Sequence, residues 1–237
     1  MSWITLLSPY DHIFPDPKEA SPEGLVAYGG DLHPQRVLAA YKRGIFPWYN
    51  EGDPILWWSP DPRLVLYPQD IKISRSLKKS LKKFEVRVDN DFRQVIQSCK
   101  NIRSKTWILP EIVELFCELH EIGFAHSIET YQDGELVGGL YGLSLGGAFF
   151  GESMFSRVSD ASKVALVHLA QIAQEFSFDF IDCQIPSAHL KRMGAVEISR
   201  ARFLEELDIA LQKPGRYGKW KLQVDTPPRK RCGFPLP

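Results

Sequence analysis

The stretch AHSIETYQDGELVGGLYGLSLGGAFFGESMFSR, residues 125–157, decides the fold of this chain. The pair Asp133-Gly134 between two strand-like runs predicts a hairpin, and Gly146-Gly147 predicts a second tight turn. The last run carries one carboxylate, Glu152, among glycines and apolar residues. A buried carboxylate is costly without an ion pair, a ligand or a chemical task, so Glu152 marks a candidate site.

Helices and strands alternate after this stretch. The expected elements are a helix over residues 159–176 capped at Ser159 or nearby, a strand over 178–185, a helix that stops at Gly194 followed by a strand, and a helix over 201–212. This order predicts an α+β or mixed α/β layer arrangement, and we assign the α+β class with a mixed sheet flanked by helices.

The first sixty residues are rich in proline, glycine and aromatic residues. Within them HPQRVLAAYKRG, residues 33–44, reads as a short helix with Pro34 in its first turn. The run DPILWWSPDPR is extended and closes with Pro60 and Pro62, which favours a domain junction. The predicted domains are therefore a small N-terminal domain over 1–62 and a larger domain over 63–237.

The composition is that of an ordinary globular protein, with 237 residues, 44% hydrophobic and 24% charged. No basic segment followed by a long apolar run opens the chain, and no stretch reaches about 18 uninterrupted apolar residues. We therefore expect a cytoplasmic protein with no membrane partner. The cysteines are far apart, without zinc-ligand spacing, and are expected to be reduced thiols that hold no metal: Cys99, Cys117, Cys183 and Cys232.

The charge is balanced, with 29 basic and 29 acidic residues, but it is unevenly distributed. Residues 72–105 hold eleven Lys/Arg and three Asp/Glu, and residues 213–231 hold seven and one. A helix is predicted over 71–84, with an apolar face opposite a basic one. The basic face is expected to carry Arg75, Lys78, Lys79, Lys82 and Lys83. A solvated surface helix is the alternative, but this face has no acidic partners, which favours contact with a phosphate backbone.

Several sequence motifs are missing. The chain has no G-x-x-x-x-G-K-[ST], no G-x-G-x-x-G and no G-x-S-x-G, which argues against a P-loop, a dinucleotide site and a serine-hydrolase elbow. His120 and His126 are six residues apart, which does not fit the H-E-x-x-H zinc helix. The histidines are expected to be structural.

A second polar cluster follows from the strand IDCQI. Because strand side chains alternate, Asp182 and Gln184 are expected on one face. If this strand lies beside the one that carries Glu152, the side chains of Asp182 and Gln184 lie close to Glu152. Such a group can orient or deprotonate an amine, or hold a cation. The alternative is that Asp182 merely caps a helix or ends a sheet.

Tryptophans cluster in proline-flanked contexts: Trp48, Trp57, Trp58 and Trp107. Large aromatic residues are often core residues, but next to basic segments they can also be platforms on which a nucleobase stacks.

Longer runs carry a family resemblance. EGLVAYGGDLHPQRVLAAYKRGIFPWY, PILWWSPDPR, ISRSLKK, HSIE, GGLYG, GESMFSRVSDASKVAL and IDCQI resemble, in this order, the bacterial leucyl/phenylalanyl-tRNA-protein transferases, from about residue 14 to about 210. The resemblance implies transfer of Leu or Phe, and of Met less well, from aminoacyl-tRNA to proteins with N-terminal Lys or Arg, which marks them for N-end rule degradation. It also implies a GNAT acyltransferase domain and an ester aminolysis that needs no ATP, metal or cofactor. DNA is not expected as a partner.

The resemblance further implies residue roles. Asp182, Gln184 and Glu152 would lie at the reacting centre, Trp48 and Trp107 near the 3′ adenosine, and the basic helix against the tRNA backbone. The pocket for the aminoacyl side chain would be formed by Leu140, Phe149, Met154, Leu166, Leu169 and Ile181.

Two alternatives stand beside this family. A CoA-dependent GNAT N-acetyltransferase is disfavoured, because FSRVSDASK lacks the Q/R-x-x-G-x-G/A phosphate loop. A non-catalytic tRNA-binding protein with the same fold would be expected to have lost one of Glu152, Asp182 or Gln184, and all three are present.

Overall fold

The structure is a computed structural model that describes residues 4–102 and 106–221. Cys232 and the end of the second basic segment lie outside the described residues. The strands are β1 (Thr5–Leu7), β2 (Leu25–Gly29), β3 (Phe46–Pro47), β4 (Leu56–Trp58), β5 (Arg63–Leu66), β6 (Glu85–Val88), β7 (Ala125–Gln132), β8 (Glu135–Leu145), β9 (Ala148–Ser156), β10 (Phe180–Gln184) and β11 (Val196–Ile198). The α-helices are α1 (Pro34–Tyr41), α2 (Arg75–Ser80), α3 (Phe92–Asn101), α4 (Pro110–Glu121), α5 (Ala161–Glu175), α6 (Ala188–Arg192) and α7 (Arg200–Ala210).

The strands form two sheets. The small sheet has the order β1-β2-β4-β3, and the large one has the order β11-β5-β10-β9-β8-β7-β6. In the large sheet β9 and β10 are parallel, while its other neighbouring strands are antiparallel. Helix α5 packs on one face of this sheet, and α3, α4 and α7 cover the other. The predicted α+β class, with a mixed sheet flanked by helices, is confirmed.

The two predicted turns of the central stretch are present. Asp133 and Gly134 connect β7 to β8 with φ of 52° and 84°, the pair of positive values that a two-residue type I′ hairpin requires. Gly146 turns β8 into β9 with φ of 55°. The residues of these two turns therefore fix the register of β7, β8 and β9, and with it the position of Glu152.

One predicted helix was too long, and another begins close to its predicted start. Helix α2 covers six residues rather than 71–84, because the hydroxyl of Ser74 accepts a hydrogen bond from the Leu77 amide and caps the helix there. Helix α5 follows Asp160, whose backbone is left-handed, and neither Ser159 nor the Asp160 side chain caps it. The Asp160 carboxylate instead contacts Lys163 and Ser80.

The first sixty residues share a core with the rest of the chain. Val26, Tyr41 and Trp57 belong to the same buried cluster as Phe116 and Phe203. The chain passes from the small sheet to the large one between β4 and β5. The predicted boundary between residues 62 and 63 stays a prediction.

Within the described residues, no helix combines the length and the apolar character that crossing a bilayer requires.

Candidate active site

A cavity of about 530 Å³ opens where β9 and β10 separate. The parallel register of these strands ends at the pair Phe150 and Asp182. Beyond it, Glu152 and Gln184 face each other across the gap and are joined by a hydrogen bond of 2.8 Å between Gln184 Nε2 and Glu152 Oε1. The separation of two neighbouring strands therefore creates the site.

Both strands are irregular at the gap. Glu152 lies where the register between β8 and β9 shifts, between Ser153 and Gly151. Cys183 lies at a similar shift between β10 and β5. An extra residue in one strand redirects the side chains near it, and such bulges are frequent beside active sites.

The Glu152 carboxylate lines the cavity and is held by two donors. Tyr41, at the end of α1, donates its hydroxyl to Glu152 Oε1 at 2.7 Å, and Gln184 donates its amide. Burial raises the pKa of Glu152 to about 7; the hydrogen bond from Tyr41 opposes the shift and the charge of Asp182 adds to it. A carboxylate with a pKa near neutrality is suited to accepting a proton from an amine.

Gln184 has a strained backbone. Its φ is 63°, in the left-handed region that only a few per cent of non-glycine residues adopt. The conformation is held by its own amide, which donates to Asp182 Oδ1 at 2.8 Å. Strain of this kind persists where the surroundings fix it and clusters at functional sites.

Asp182 has a partner that the sequence did not indicate, the guanidinium of Arg63. It is fully buried and bound by both carboxylate oxygens to Arg63, at 2.9 Å to Nε and 2.6 Å to Nη2. Ile181, Cys183 and Gln184 line the cavity, but Asp182 does not. Ile181 and Cys183 pack against the cluster on the α5 side of the sheet, whereas Asp182 and Gln184 contact Arg63 and Glu152 on the other side, as strand alternation predicts.

Arg63 is enclosed. Its guanidinium lies over the rings of Phe46 and Phe203, at 4.9 and 4.3 Å from their centroids, and donates to the Gly44 carbonyl oxygen. The ion pair with Asp182 is thus buried beneath the cavity and fixed on every side.

The predicted apolar pocket is largely assembled. The cavity lining includes Leu140, Met154, Leu166, Leu169 and Ile181. Phe149 is fully buried in the same cluster as Leu140, Leu166, Leu169 and Ile181 and does not line the cavity, and its assignment to the pocket stays a prediction. An apolar floor below a carboxylate and an amide separates a region for a hydrophobic side chain from a polar one.

The four tryptophans divide into two groups. Trp48, 41% exposed, and Trp107 line the cavity. Trp57 is a core residue whose indole donates to the Gly29 carbonyl, and Trp58 packs edge-on against Trp48. Of these four, Trp48 and Trp107 are therefore the ones placed to meet a ligand in the cavity.

The basic side chains of the α2 region are exposed and lie outside the cavity lining: Arg75, Lys78, Lys79, Lys82 and Lys83. Leu77 is buried beneath them, and α2 packs against α5, which contributes Leu166 and Leu169 to the cavity. The basic surface is thus attached to a helix of the site without entering the cavity.

Sequence reasoning did not find Tyr41 and Arg63. The buried acids were a usable signal, because each needed a donor, but the partners lie 111 and 119 residues away along the chain. Most of the histidines have structural settings, such as His126 against Asp89, whereas His189 lines the cavity. Among the described residues, no group of three or more His, Cys, Asp or Glu side chains is placed to hold a metal ion.

Comparison with solved structures finds distant likenesses. A GCN5-related N-acetyltransferase from Kribbella flavida matches with a TM-score of 0.38 and 11% identity, over 68% of this chain and 60% of that one. The L-PGS structure from Bacillus licheniformis matches with a TM-score of 0.37 and 11% identity, over 65% of this chain and 51% of that one.

Curated sequences match far more strongly. The leucyl/phenylalanyl-tRNA–protein transferase of Legionella pneumophila strain Paris is 55% identical over 216 residues, which cover 90% of this chain and 97% of the relative. The transferase of the same name from Nitrosomonas eutropha is 53% identical over 224 residues, covering 92% and 96%.

Two family models match as well. The model of the leucyl/phenylalanyl-tRNA protein transferase matches residues 65–208, and the model of its N-terminal domain matches residues 30–61. The chain is therefore an aminoacyltransferase and belongs to the leucyl/phenylalanyl-tRNA protein transferase family.

Proposed function

We propose that this chain transfers Leu or Phe, and Met less well, from aminoacyl-tRNA to the α-amine of proteins with N-terminal Lys or Arg, which marks them for N-end rule degradation. Because aminoacyl-tRNA is a cytoplasmic substrate, the proposal places the chain in the cytoplasm. The observation that carries it is the Glu152 carboxylate, with a pKa of about 7, at the border between the apolar pocket and Gln184.

The proposed reaction is ester aminolysis. The aminoacyl ester is already activated, so the step needs a neutral amine and a place for its proton. The acceptor amine, with an ordinary pKa of about 7.7–8.0, reacts as the free base after its ammonium proton has gone to solvent. Its nitrogen bonds to the ester carbonyl carbon and gives up one proton to Glu152. The bond from that carbon to the ribose oxygen breaks, and the proton passes from Glu152 to the leaving oxygen.

Gln184 orients the acceptor in this proposal. Its amide nitrogen donates to Glu152, which turns its amide oxygen away from the carboxylate and towards the substrate amine. Asp182 acts as a positioning residue, because its carboxylate fixes the Gln184 backbone and is itself fixed by Arg63. The pair of Glu152 and Gln184 therefore holds the acceptor nitrogen against the ester.

The donor occupies the remainder of the cavity. Its side chain enters the pocket that contains Leu140, Leu166 and Ile181, where the flexible Met154 suits both Leu and Phe. The terminal adenosine lies against Trp48 and Trp107, and the basic surface of α2 contacts the tRNA backbone.

The test uses radiolabelled Leu-tRNA and three peptides that differ only in their first residue, Lys, Arg or Met, in the absence of ATP. We expect label in the Lys and Arg peptides and little in the Met peptide. Equal labelling of all three, or of none, contradicts the proposed acceptor specificity.

A further inference from the structure

A second cavity lies beside the first, between α2 and α6. Its volume is about 360 Å³, and it shares His189 with the cavity that holds Glu152. Its lining includes three cationic side chains, Lys72, Lys163 and Arg192, and the imidazole of His189. The remaining lining residues are neutral: Ile73, Ser74, Leu77 and Met193.

The positive charge of this cavity is only partly compensated. Lys163 pairs with Asp160 at 2.7 Å. The side chains of Lys72 and Arg192 form no ion pair or hydrogen bond with any described residue. Unpaired cations that converge on a concave surface favour an anionic ligand.

The cavity is held in place by contacts around Asp160. This carboxylate receives Lys163 on one oxygen and the Ser80 hydroxyl on the other, at 2.7 and 2.9 Å, and so ties α2 to the start of α5. Lys191, the neighbour of Arg192, pairs instead with Glu197 at 2.7 Å and is not part of the lining. Arg192 thus differs from the lysine next to it in having no acidic partner within the described residues.

His189 connects the two cavities. Burial, and then the charges of Lys163 and Arg192, lower the pKa of His189. A neutral imidazole is not repelled by neighbouring cations, and it donates one hydrogen bond to an acceptor oxygen. An anion between these groups would offset the repulsion that they exert on each other.

We propose that this second cavity binds the phosphodiester that precedes the terminal adenosine of the donor tRNA. The inference rests on the proposed function, because it needs an aminoacyl ester in the first cavity. With the ribose beside His189, the ester extends towards Glu152 and the phosphate towards Lys72 and Arg192. The strand that approaches over the basic surface of α2 then enters the active site through this cavity.

The test compares three leucine donors with increasing phosphate content: leucyl-adenosine, which has no phosphodiester, leucyl-cytidylyl-adenosine, which has one, and Leu-tRNA. The variant Lys72→Gln/Arg192→Gln removes the two unpaired cations. Lys191→Gln is the matched control, since it neutralises an adjacent exposed cation outside the cavity. Lys79→Gln/Lys82→Gln serves as a comparator on the α2 region.

We expect the wild-type chain to use the dinucleotide donor about tenfold better in kcat/KM than leucyl-adenosine, since one charge-assisted contact is worth about that factor. Lys72→Gln/Arg192→Gln loses this gain and keeps its rate with leucyl-adenosine. Lys191→Gln keeps the gain, and Lys79→Gln/Lys82→Gln keeps it too but is slower with Leu-tRNA.

Two results would overturn the inference alone: a dinucleotide gain that survives Lys72→Gln/Arg192→Gln, or an equal loss with leucyl-adenosine in a variant whose thermal unfolding is unchanged. A wild-type chain that transfers leucine from none of the three donors overturns the proposed function and this inference together. The wild-type rates therefore separate the two failures.

Discussion

At the scale of single residues, the site depends on the protonation of Glu152. Its pKa of about 7 results from burial, opposed chiefly by the hydrogen bond from Tyr41. As pH falls through about 7 the carboxylate binds a proton and can no longer accept one from the acceptor. Activity is therefore expected to fall on the acid side of neutrality.

Replacing Tyr41 tests this dependence. Tyr41→Phe removes the donor that favours the charged carboxylate, so the pKa of Glu152 should rise and the acid limb of the kcat/KM profile should move up by about one pH unit. The measurement is peptide aminoacylation between pH 5.5 and 9.

Two variants control this prediction. Tyr49→Phe is matched, because it removes a similar hydroxyl contact, 3.1 Å from Glu111, away from the cavity lining, and should leave the profile in place. Glu152→Gln should lose the contribution of Glu152 to the acid limb. The remaining pH dependence on that side is then the titration of the acceptor amine. A Tyr41→Phe profile that coincides with the wild type would contradict the role of Glu152 as the base.

The ion pair beneath the cavity gives a second prediction. Arg63→Met leaves the Asp182 charge buried without its partner, so the free energy of unfolding should fall by about 3–5 kcal/mol in urea titrations. Arg63→Met/Asp182→Leu removes both charges and should recover much of the stability.

Activity should not return with that stability. The double variant still lacks the carboxylate that receives the Gln184 amide and fixes its left-handed backbone. Full recovery of kcat/KM in Arg63→Met/Asp182→Leu would show that Asp182 has no positioning role.

At the scale of secondary-structure elements, the sequence predicted features whose cause is local. The Asp133-Gly134 hairpin follows from the positive φ values that these two residues adopt with little strain. The length of α2 was not predictable from apolar spacing alone, because Ser74 begins the helix inside a pattern that looks continuous. The common face of Asp182 and Gln184 was predictable, because alternation along a strand is local.

Long-range partners explain most of what else was missed in the site. Glu152 and Asp182 were recognisable as buried acids in an apolar context, yet nothing near them in sequence identifies Tyr41 or Arg63 as their donors. Residue chemistry was thus predictable from sequence, and the distant donors that hold these acids were not.

The α2 region gives a prediction at this scale. If its exposed lysines bind phosphates, Lys79→Gln/Lys82→Gln should weaken the use of Leu-tRNA and reduce the dependence of log kcat/KM on log salt by about one for each phosphate that is no longer neutralised. Lys18→Gln, another exposed lysine, is the control. An unchanged salt slope in the double variant would show that α2 is only a solvated surface.

At the scale of the whole molecule, the shared core predicts how the chain unfolds. Trp57 in the small sheet and Phe116 under the large one belong to the same buried cluster. We expect one cooperative transition in urea, in which tryptophan fluorescence and far-UV circular dichroism coincide. Separate transitions would instead support two independently folding domains divided at residues 62 and 63.

The end of α1 has a consequence for damaged or incomplete chains. Tyr41 donates to Glu152, and the Gly44 carbonyl accepts from Arg63, so one short segment near the N-terminus contacts both layers of the active site. A fragment that begins after this segment keeps Asp182, Gln184 and the basic surface but lacks these supports. Because the buried cluster includes Val26, Tyr41 and Trp57, such a fragment also loses part of its core, and proteolysis between β4 and β5 is expected to abolish donor binding and transfer together.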